Sequence, residues 1–318
     1  MKGKHSMKRI TFLLLCCFIA CFVTACGGGE QEETSVQETM TIAAMPSIDK
    51  VPIIVGMEQG YFEDHGLTVT LENFQSPTDR NAALQAGEVD GVMSDMVADV
   101  LYLAAGMDMK MTSLIQTDFA IIASTNSGIT SLDDITGNHT NGIALNCLME
   151  YIADEAGEAQ KVMVPDVMTR IEQVLSGDLD LAVVPEPYGA MAEARGAVRI
   201  GSSNDLGIYA AVMLFPEEYI ENHGEAVSAF YRGYADAVEY LQNNGIDDVL
   251  DAVIKVGEFS EDAANALKAT EFVPLEVPEE SQFTDIIAWM DQHPEFDGPY
   301  DYLQFEDITD FSFLEEIS

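Results

Sequence analysis

Basic side chains are scarce in this 318-residue chain, where 14 lysines and arginines stand against 55 aspartates and glutamates for a formal net charge of -41. A surface of that sign repels a phosphate backbone, which excludes nucleic-acid binding. Cysteine is almost confined to the start of the chain: Cys16, Cys17, Cys21 and Cys26 lie there, and Cys147 stands alone in the body. No disulfide can form within that body, so its stability rests on packing. Long apolar runs are missing beyond residue 25, which excludes a channel or permease of several spans. Also absent are a G-x-G-x-x-G turn, a Walker lysine loop and a G-x-S-x-G elbow, and with them the commonest nucleotide and hydrolase chemistries. His65, His139, His223 and His293 show no metal-ligand spacing, and acidic stretches such as 291–306 lack the Asp-x-Asp-x-Asp-Gly loop. No metal and no cofactor is therefore expected. What the chain does have is 47% hydrophobic residues and length enough for two domains.

The first 25 residues carry the most specific short signal. Lys2, Lys4, Lys8 and Arg9 form a basic flank, Ile10 to Val23 a short apolar run, and Val23-Thr24-Ala25-Cys26 follows. Small residues just before a cysteine resemble the lipobox of bacterial lipoproteins, which implies cleavage before Cys26 and diacylation of its thiol. The alternatives are an ordinary cleaved signal or an uncleaved anchor helix. The lipobox reading gives a signal peptide over 1–25 and a flexible tether over 26–39 rich in Gly, Glu and Gln. Two acyl chains, at ~0.8 kcal/mol per buried methylene, hold a protein stably on a membrane. The body is thus expected on the extracytoplasmic face of a bacterial cell membrane. Cleavage leaves 293 residues with 10 basic against 55 acidic side chains, a surface suited to solubility.

Beyond the tether, strands and helices alternate, the pattern of an α/β fold. Strands are expected at 41–45, 67–73, 89–93, 111–115, 120–124 and 142–145. A helix over 51–59 is closed by Gly60, and Ser76-Pro77 supplies a cap and a first-turn proline for a helix ending at Gly87. A third helix is expected from Met96 to Ala105. After a polar stretch, 126–141, the alternation restarts as if a second domain began there.

An internal echo supports that division. Arg80…Leu84-Gln85-Ala86-Gly87-Glu88-Val89-Asp90-Gly91-Val92-Met93-Ser94-Asp95 is matched at an offset of 90 by Arg170…Val174-Leu175-Ser176-Gly177-Asp178-Leu179-Asp180-Leu181-Ala182-Val183-Val184-Pro185-Glu186. Each reads helix, Gly, acidic residue, strand, polar loop. One such match can arise by chance; two similar lobes are the alternative. Ligands of open α/β sheets bind at the carboxyl ends of strands, which would put Ser94-Asp95 of one lobe and Glu186 of the other on a shared cleft.

The stretch Glu58-Gln59-Gly60-Tyr61-Phe62…Gly66-Leu67-Thr68-Val69 resembles an element of the solute-binding proteins that serve the nitrate, sulfonate, taurine and thiamine-precursor ABC importers. Ala86-Gly87-Glu88-Val89-Asp90-Gly91 and the Pro185-Glu186-Pro187 turn are similar to further elements of that family. The resemblance implies a type II periplasmic-binding-protein fold whose two α/β lobes, joined by two crossovers, close on a small molecule. A membrane permease with its ATPase subunits would then receive the cargo from a monomeric, non-enzymatic lipoprotein. The expected boundaries are 40–122 with 217–318 for the first lobe and 123–216 for the second, the C-terminal helices bracing the first lobe.

Candidate ligand contacts are Pro46, Ser47, Ser94, Asp95, Thr117 and Asp118 from the first lobe, and Asn146, Cys147, Glu186 and Tyr188 from the second. Taken singly, the serines and Asp95 are equally cap or turn residues; Cys147 is better explained as a small buried residue than as a nucleophile. Tyr61 and Phe62 are expected in the core. Asp95, Asp118 and Glu186, with no arginine in the predicted loops, favour a neutral, amine-bearing or heteroaromatic ligand over a sulfonate or nitrate. Two rival functions stay open: an enzyme on the same fold, acting on a thiamine pyrimidine or a chorismate-derived compound, and a surface sensing or adhesion lipoprotein.

Overall fold

The computed structural model describes residues 38–317, and the expected signal peptide, the tether up to residue 37 and Cys26 lie outside them. Two five-stranded sheets organise these residues. The first takes β1 (Glu38–Ala44), β2 (Leu67–Asn73), β3 (Gly91–Asp95), β4 (Met109–Leu114) and, much later in the chain, β10 (Ala211–Pro216), in the spatial order β2-β1-β3-β10-β4. The second takes β5 (Phe119–Ala123), β6 (Thr140–Ile143), β7 (Gln160–Met163), β8 (Leu181–Pro185) and β9 (Val198–Ser202), in the order β7-β6-β8-β5-β9. The two orders are the same arrangement used twice. In each, three parallel strands are followed by an antiparallel one that arrives from the other lobe's stretch of chain.

That exchange moves the crossovers away from their expected places. β5 pairs with β8 and β9, and β10 with β3 and β4, so the chain passes between the sheets at 115–118 and 203–210 rather than near 123 and 216. Apolar periodicity marks a strand but not the sheet it joins; β5 and β10 look like continuations of their sequence neighbours, and only their long-range pairing assigns them.

The local signals explain the helices. α1 (Val51–Gln59) ends where Gly60 turns left-handed at φ 79°, a conformation glycine adopts without steric cost, and the four-residue α2 (Tyr61–Asp64) follows. α3 (Pro77–Ala86) starts on Ser76, whose Oγ accepts from the Asp79 amide at 3.2 Å, and α6 (Val167–Ser176) on Asp166, which accepts from the Thr169 amide at 2.8 Å. Both helices have ten residues, end on a left-handed glycine (Gly87, Gly177) and feed a central strand at the same offset of 90, so the sequence echo is an echo of structure. The remaining helices are α4 (Met96–Ala104), α5 (Leu148–Ala156), α7 (Tyr188–Ala194), α8 (Glu217–Asn244), α9 (Leu250–Gly257), α10 (Glu261–Ala266), α11 (Glu280–Asp291) and α12 (Ser312–Glu315). None of the helices among the described residues is long and apolar enough to cross a membrane.

Strands covered on both faces read as continuous apolar runs, and β3 and β8 are buried along their whole length. Phe62 is fully buried, stacked on Phe230 and wedged between α1 and α8 at two glycines. A Cβ on Gly56 or on Gly233 would come within 2.5 Å of its ring. Tyr61, only half-buried, lies against Tyr240 with ring centroids 6.3 Å apart.

The C-terminal helices do brace the first lobe, α8 against α1 and α2, α11 against α4, and α12 against β4. They also reach the second. α10 packs on α7, where Ser260 Oγ donates to Met191 Sδ at 3.6 Å, and the indole of Trp289 on α11 donates to Asp154 of α5 at 3.0 Å.

Candidate functional site

Loops that leave the carboxyl ends of β1, β3, β6, β7 and β8 converge between the two sheets and line a cavity of about 60 Å³. Such a volume holds a few waters or a small molecule. The lobes are drawn together around it. The Ile48 amide of the first lobe donates to the Glu186 carbonyl of the second at 2.9 Å, and Ser47 Oγ lies 3.1 Å from Thr117 Oγ1 in the crossover. Asp95, the cap of α4, accepts from the Ala98 amide at 2.9 Å, and the Leu148 amide at the start of α5 in the opposite lobe stands close enough to pull its pKa down. Burial nevertheless holds its carboxyl above the usual range, against the lowering pull of Arg80 and these amides.

Six of the ten expected contact residues are on the cavity wall: Pro46, Ser47, Ser94, Asp95, Thr117 and Cys147. The other four are engaged elsewhere. Asp118 accepts from Ser203 Oγ at 2.9 Å and the Asn204 amide at 3.2 Å, tying one crossover to the other. Asn146 is left-handed at φ 59°, and its amide donates to Glu150 rather than to the cavity. Glu186 pairs with Arg199 and accepts from the Ala190 amide at 3.1 Å. Tyr188 is buried against Phe259. These departures share a cause: a polar residue just past a strand end meets the competing demands of the next helix and crossover before it meets a ligand.

Three chemistry-bearing residues on the wall were not among the expected contacts: Asp49, Arg80 and Arg170. Arg80 and Arg170 are the fourth residues of α3 and α6, hence related by the internal repeat, and both are fully buried. Neither has a carboxylate within 4.0 Å among the described residues. Arg80 spends its donors on Asn81 Oδ1 at 3.1 and 3.0 Å, the Met93 carbonyl at 3.1 Å and Tyr102. Arg170 donates from Nη1 to the Val164 and Pro165 carbonyls at 2.7 and 3.0 Å, while its Nε has no partner. Burial lowers the Arg170 pKa to about 10. The signal that could have found the pair was in plain view, since Arg80 and Arg170 open the two repeated segments.

Asp49 follows the first strand, and its Oδ1 is a second buried atom without a partner; Ser94 Oγ is a third. Burial pushes the Asp49 carboxyl up to about 7, opposed by neighbouring Lys50. Lys50 itself faces away, donating to Asn73 Oδ1 at 2.8 Å and the Gly257 carbonyl at 2.6 Å with its ammonium 4.6 Å from the centre of the Phe259 ring. The Cys147 thiol is pushed up to about 12 by burial and donates to the Ala144 carbonyl, the state of a packed thiol rather than a nucleophile. Among the described residues no group of three His, Cys, Asp or Glu side chains is placed to hold a metal.

The expected preference for a neutral, amine-bearing or heteroaromatic ligand rested on three carboxylates, to each of which the fold gives protein partners. Asp118 and Glu186 are committed to other partners, Asp95 is held by the Ala98 amide, and two arginines that the loops did not contain stand on the wall from helices.

A family model described as "NMT1/THI5 like" matches residues 47–245. The chain is similar to the formylaminopyrimidine-binding protein of Halalkalibacterium halodurans, with 22% identity over 92% of this chain and 96% of that protein. Among solved structures it is similar to the ligand-binding component of an ABC-type import system from Staphylococcus aureus, solved with zinc bound: TM-score 0.71, 16% identity, 89% of this chain and 99% of that one. The desulfurization enzyme DSZB has the same fold at a TM-score of 0.57 and 14% identity, covering 88% of this chain and 98% of that one, so likeness of fold does not by itself separate binding from catalysis.

Proposed function

The chain belongs to the NMT1/THI5-like family, and from that premise we propose that it is the extracytoplasmic substrate-binding protein of an ABC importer, held to the membrane by lipid on Cys26. The observation that carries this reading is the cavity itself, walled by loops of both sheets and lined by the charged residues Asp49, Asp95, Arg80 and Arg170. A ligand that satisfies groups on both lobes stabilises the closed arrangement by its differential affinity, and a permease can read that arrangement. The pyrimidine-binding relative supports the role. Catalysis finds less support: the cavity thiol is buried and protonated, and the Asp49 and Asp95 carboxyls face no activated nucleophile.

The test is a thermal-shift screen of residues 30–318 against sulfonates, nitrate, pyrimidines, amino acids and amines, followed by chemical analysis of the bound compound. Binding to the folded state alone adds RT ln(1 + [L]/Kd), ~2.7 kcal/mol at a hundredfold excess over Kd. A shift with the compound recovered unchanged is the expected result; a compound recovered altered overturns the binding reading in favour of an enzyme.

A further inference from the structure

Where α11 meets α5, three donors converge on one carboxylate oxygen, Asp154 Oδ2: Lys161 Nζ at 2.9 Å, the Trp289 indole N–H at 3.0 Å and His293 Nε2 at 3.2 Å. Asp154 and Lys161 belong to α5 and β7 of the second lobe. Trp289 lies on α11, which packs on the first lobe through α4, and His293 follows just past its end. None of these four residues lines the cavity. The other ring nitrogen of His293 is engaged as well, since Nδ1 lies 2.7 Å from the Trp289 carbonyl oxygen. A carbonyl only accepts, so Nδ1 carries a proton. A neutral imidazole has a single N–H, and with that proton on Nδ1 it would turn the Nε2 lone pair toward the Asp154 carboxylate. The imidazolium alone donates to both oxygens at once.

The neighbouring charges point the same way. Lys161 also pairs with Glu150 of α5 at 3.1 Å. Burial pulls the Lys161 pKa down, but the hydrogen bonds to Asp154 and Glu150 outweigh it and leave the pKa raised, so the ammonium stays charged. Two carboxylates thus face one ammonium, and a protonated His293 completes the balance. Among the described residues, Asp154 is the one carboxylate with an oxygen within 4.0 Å of the His293 ring nitrogens. Glu155 of α5, Asp285 of α11 and Glu295 beside His293 are exposed, and Asp99, brought by α4, is buried with no hydrogen bond.

We infer that this contact is a proton-dependent latch, holding the lobes together when His293 is protonated and releasing them when it is neutral. The inference rests on reading the chain as a binding protein whose lobes open and close. Closure brings up the carboxylate that the second N–H requires, so it is accompanied by proton uptake. The closed state is therefore favoured as pH falls and disfavoured as pH rises through the range, about 5 to 8, in which histidine changes charge. His65, His139 and His223 have no such role, because their partners Asp236, Thr136 and Glu38 lie on their own lobes.

Spin labels on Glu72→Cys in the first lobe and Met163→Cys in the second, both exposed positions, read the separation of the lobes in residues 30–318 without any ligand, while the buried Cys147 stays unlabelled. Between pH 8 and pH 5.5 the closed-to-open ratio is expected to rise about two- to fivefold, the size of a partly exposed ion pair. Acrylamide quenching of Trp289 in the unlabelled protein should fall over the same interval. Both changes are expected to vanish in His293→Gln, and in Asp154→Asn, which keeps an acceptor for the indole but not the charge. Circular dichroism melts identify any variant that has lost its fold. An unchanged ratio in the wild type overturns the latch. So does a pH dependence that persists in His293→Gln, which then belongs to groups such as Asp49 or Asp99. Neither of these results touches the binding reading, which the ligand screen decides by itself.

Discussion

Trp289 stands on the bridge between α11, which packs on the first lobe, and α5 of the second, and it is the chain's single tryptophan. Its indole donates to Asp154 Oδ2 at 3.0 Å and its ring lies 5.3 Å from that of Tyr151; His293 Nε2 also reaches the same carboxylate oxygen, at 3.2 Å. Asp154, which does not line the cavity, is therefore one of the points at which the C-terminal segment grips the second lobe. A hydrogen bond to a charged acceptor contributes about 1.5–3 kcal/mol, and the Asp154 side chain is 26% exposed, which places its contribution at the low end. If the grip exists only when the lobes are together, Asp154→Ala shifts the closed-to-open ratio by on the order of tenfold, at 1.4 kcal/mol per factor of ten. The shift is read directly: Trp289 emission moves to the red and acrylamide quenching rises in the ligand-free variant, while ligand affinity drops by up to tenfold. Lys161→Ala is the control, because Lys161 meets Asp154 from β7 of the same lobe, at 2.9 Å, and its loss leaves the bridge intact. Asp154→Ala with unchanged emission, quenching and affinity would falsify the idea that this contact holds the lobes together.

Other consequences follow from single positions. Asp99 is fully buried with both carboxylate oxygens unpartnered, and burial together with Asp95 raises its pKa to about 8. A carboxyl whose folded pKa lies above its unfolded value stabilises fully in acid, below about 3.8, and loses that contribution as pH rises toward 8, by up to about 1.4 kcal/mol per pH unit. Chemical denaturation of wild type and Asp99→Asn at pH 5 and pH 8 checks this: the wild type should lose more stability over the interval, and parallel curves refute the argument. Gly233→Ala, ordinarily favourable in a helix, should here cost about 1–3 kcal/mol, because the new Cβ meets the Phe62 ring at 2.5 Å; an unchanged or higher Tm contradicts the packing. Ser76→Ala removes the α3 cap and should cost about 1 kcal/mol in urea denaturation, whereas a change within ±0.3 kcal/mol would show that the cap is dispensable.

Sequence made the elements legible and left their partners hidden, for physical reasons visible in individual residues. Leu67–Asn73, Val51–Gln59 and the Ser76–Gly87 helix were readable because caps, left-handed glycines and alternation act within a few residues of where they stand. The exchange of β5 and β10 was not, since pairing Ala120 with Val184 or Met213 with Met93 is settled by residues 64 and 120 positions away. Reading the site meets the same limit. Strand ends were the natural places to look, and Ser47, Ser94, Asp95, Thr117 and Cys147 do reach the wall from there. Glu186 instead faces Arg199 on β9, a neighbour that the second sheet brings alongside only when folded.

The arginines reverse the usual reading of a helix position. Arg80 and Arg170 sit at the fourth residue of amphipathic helices, where a sequence pattern places a solvated charge, yet each is turned inward and buried. The reason lies in the strand each helix feeds. Gly87 and Gly177 bring the chain straight back beneath its own helix, so the first turn of α3 overlies the end of β3 and that of α6 the end of β8, at the rim of the cleft. Backbone carbonyls at Met93, Val164 and Pro165 then take up the guanidinium donors. A guanidinium placed on carbonyls keeps its full charge, which no protein carboxylate cancels within 4.0 Å among the described residues. Repetition of that placement at an offset of 90 therefore sets one buried positive charge on each side of the cleft in a chain whose net charge is -41.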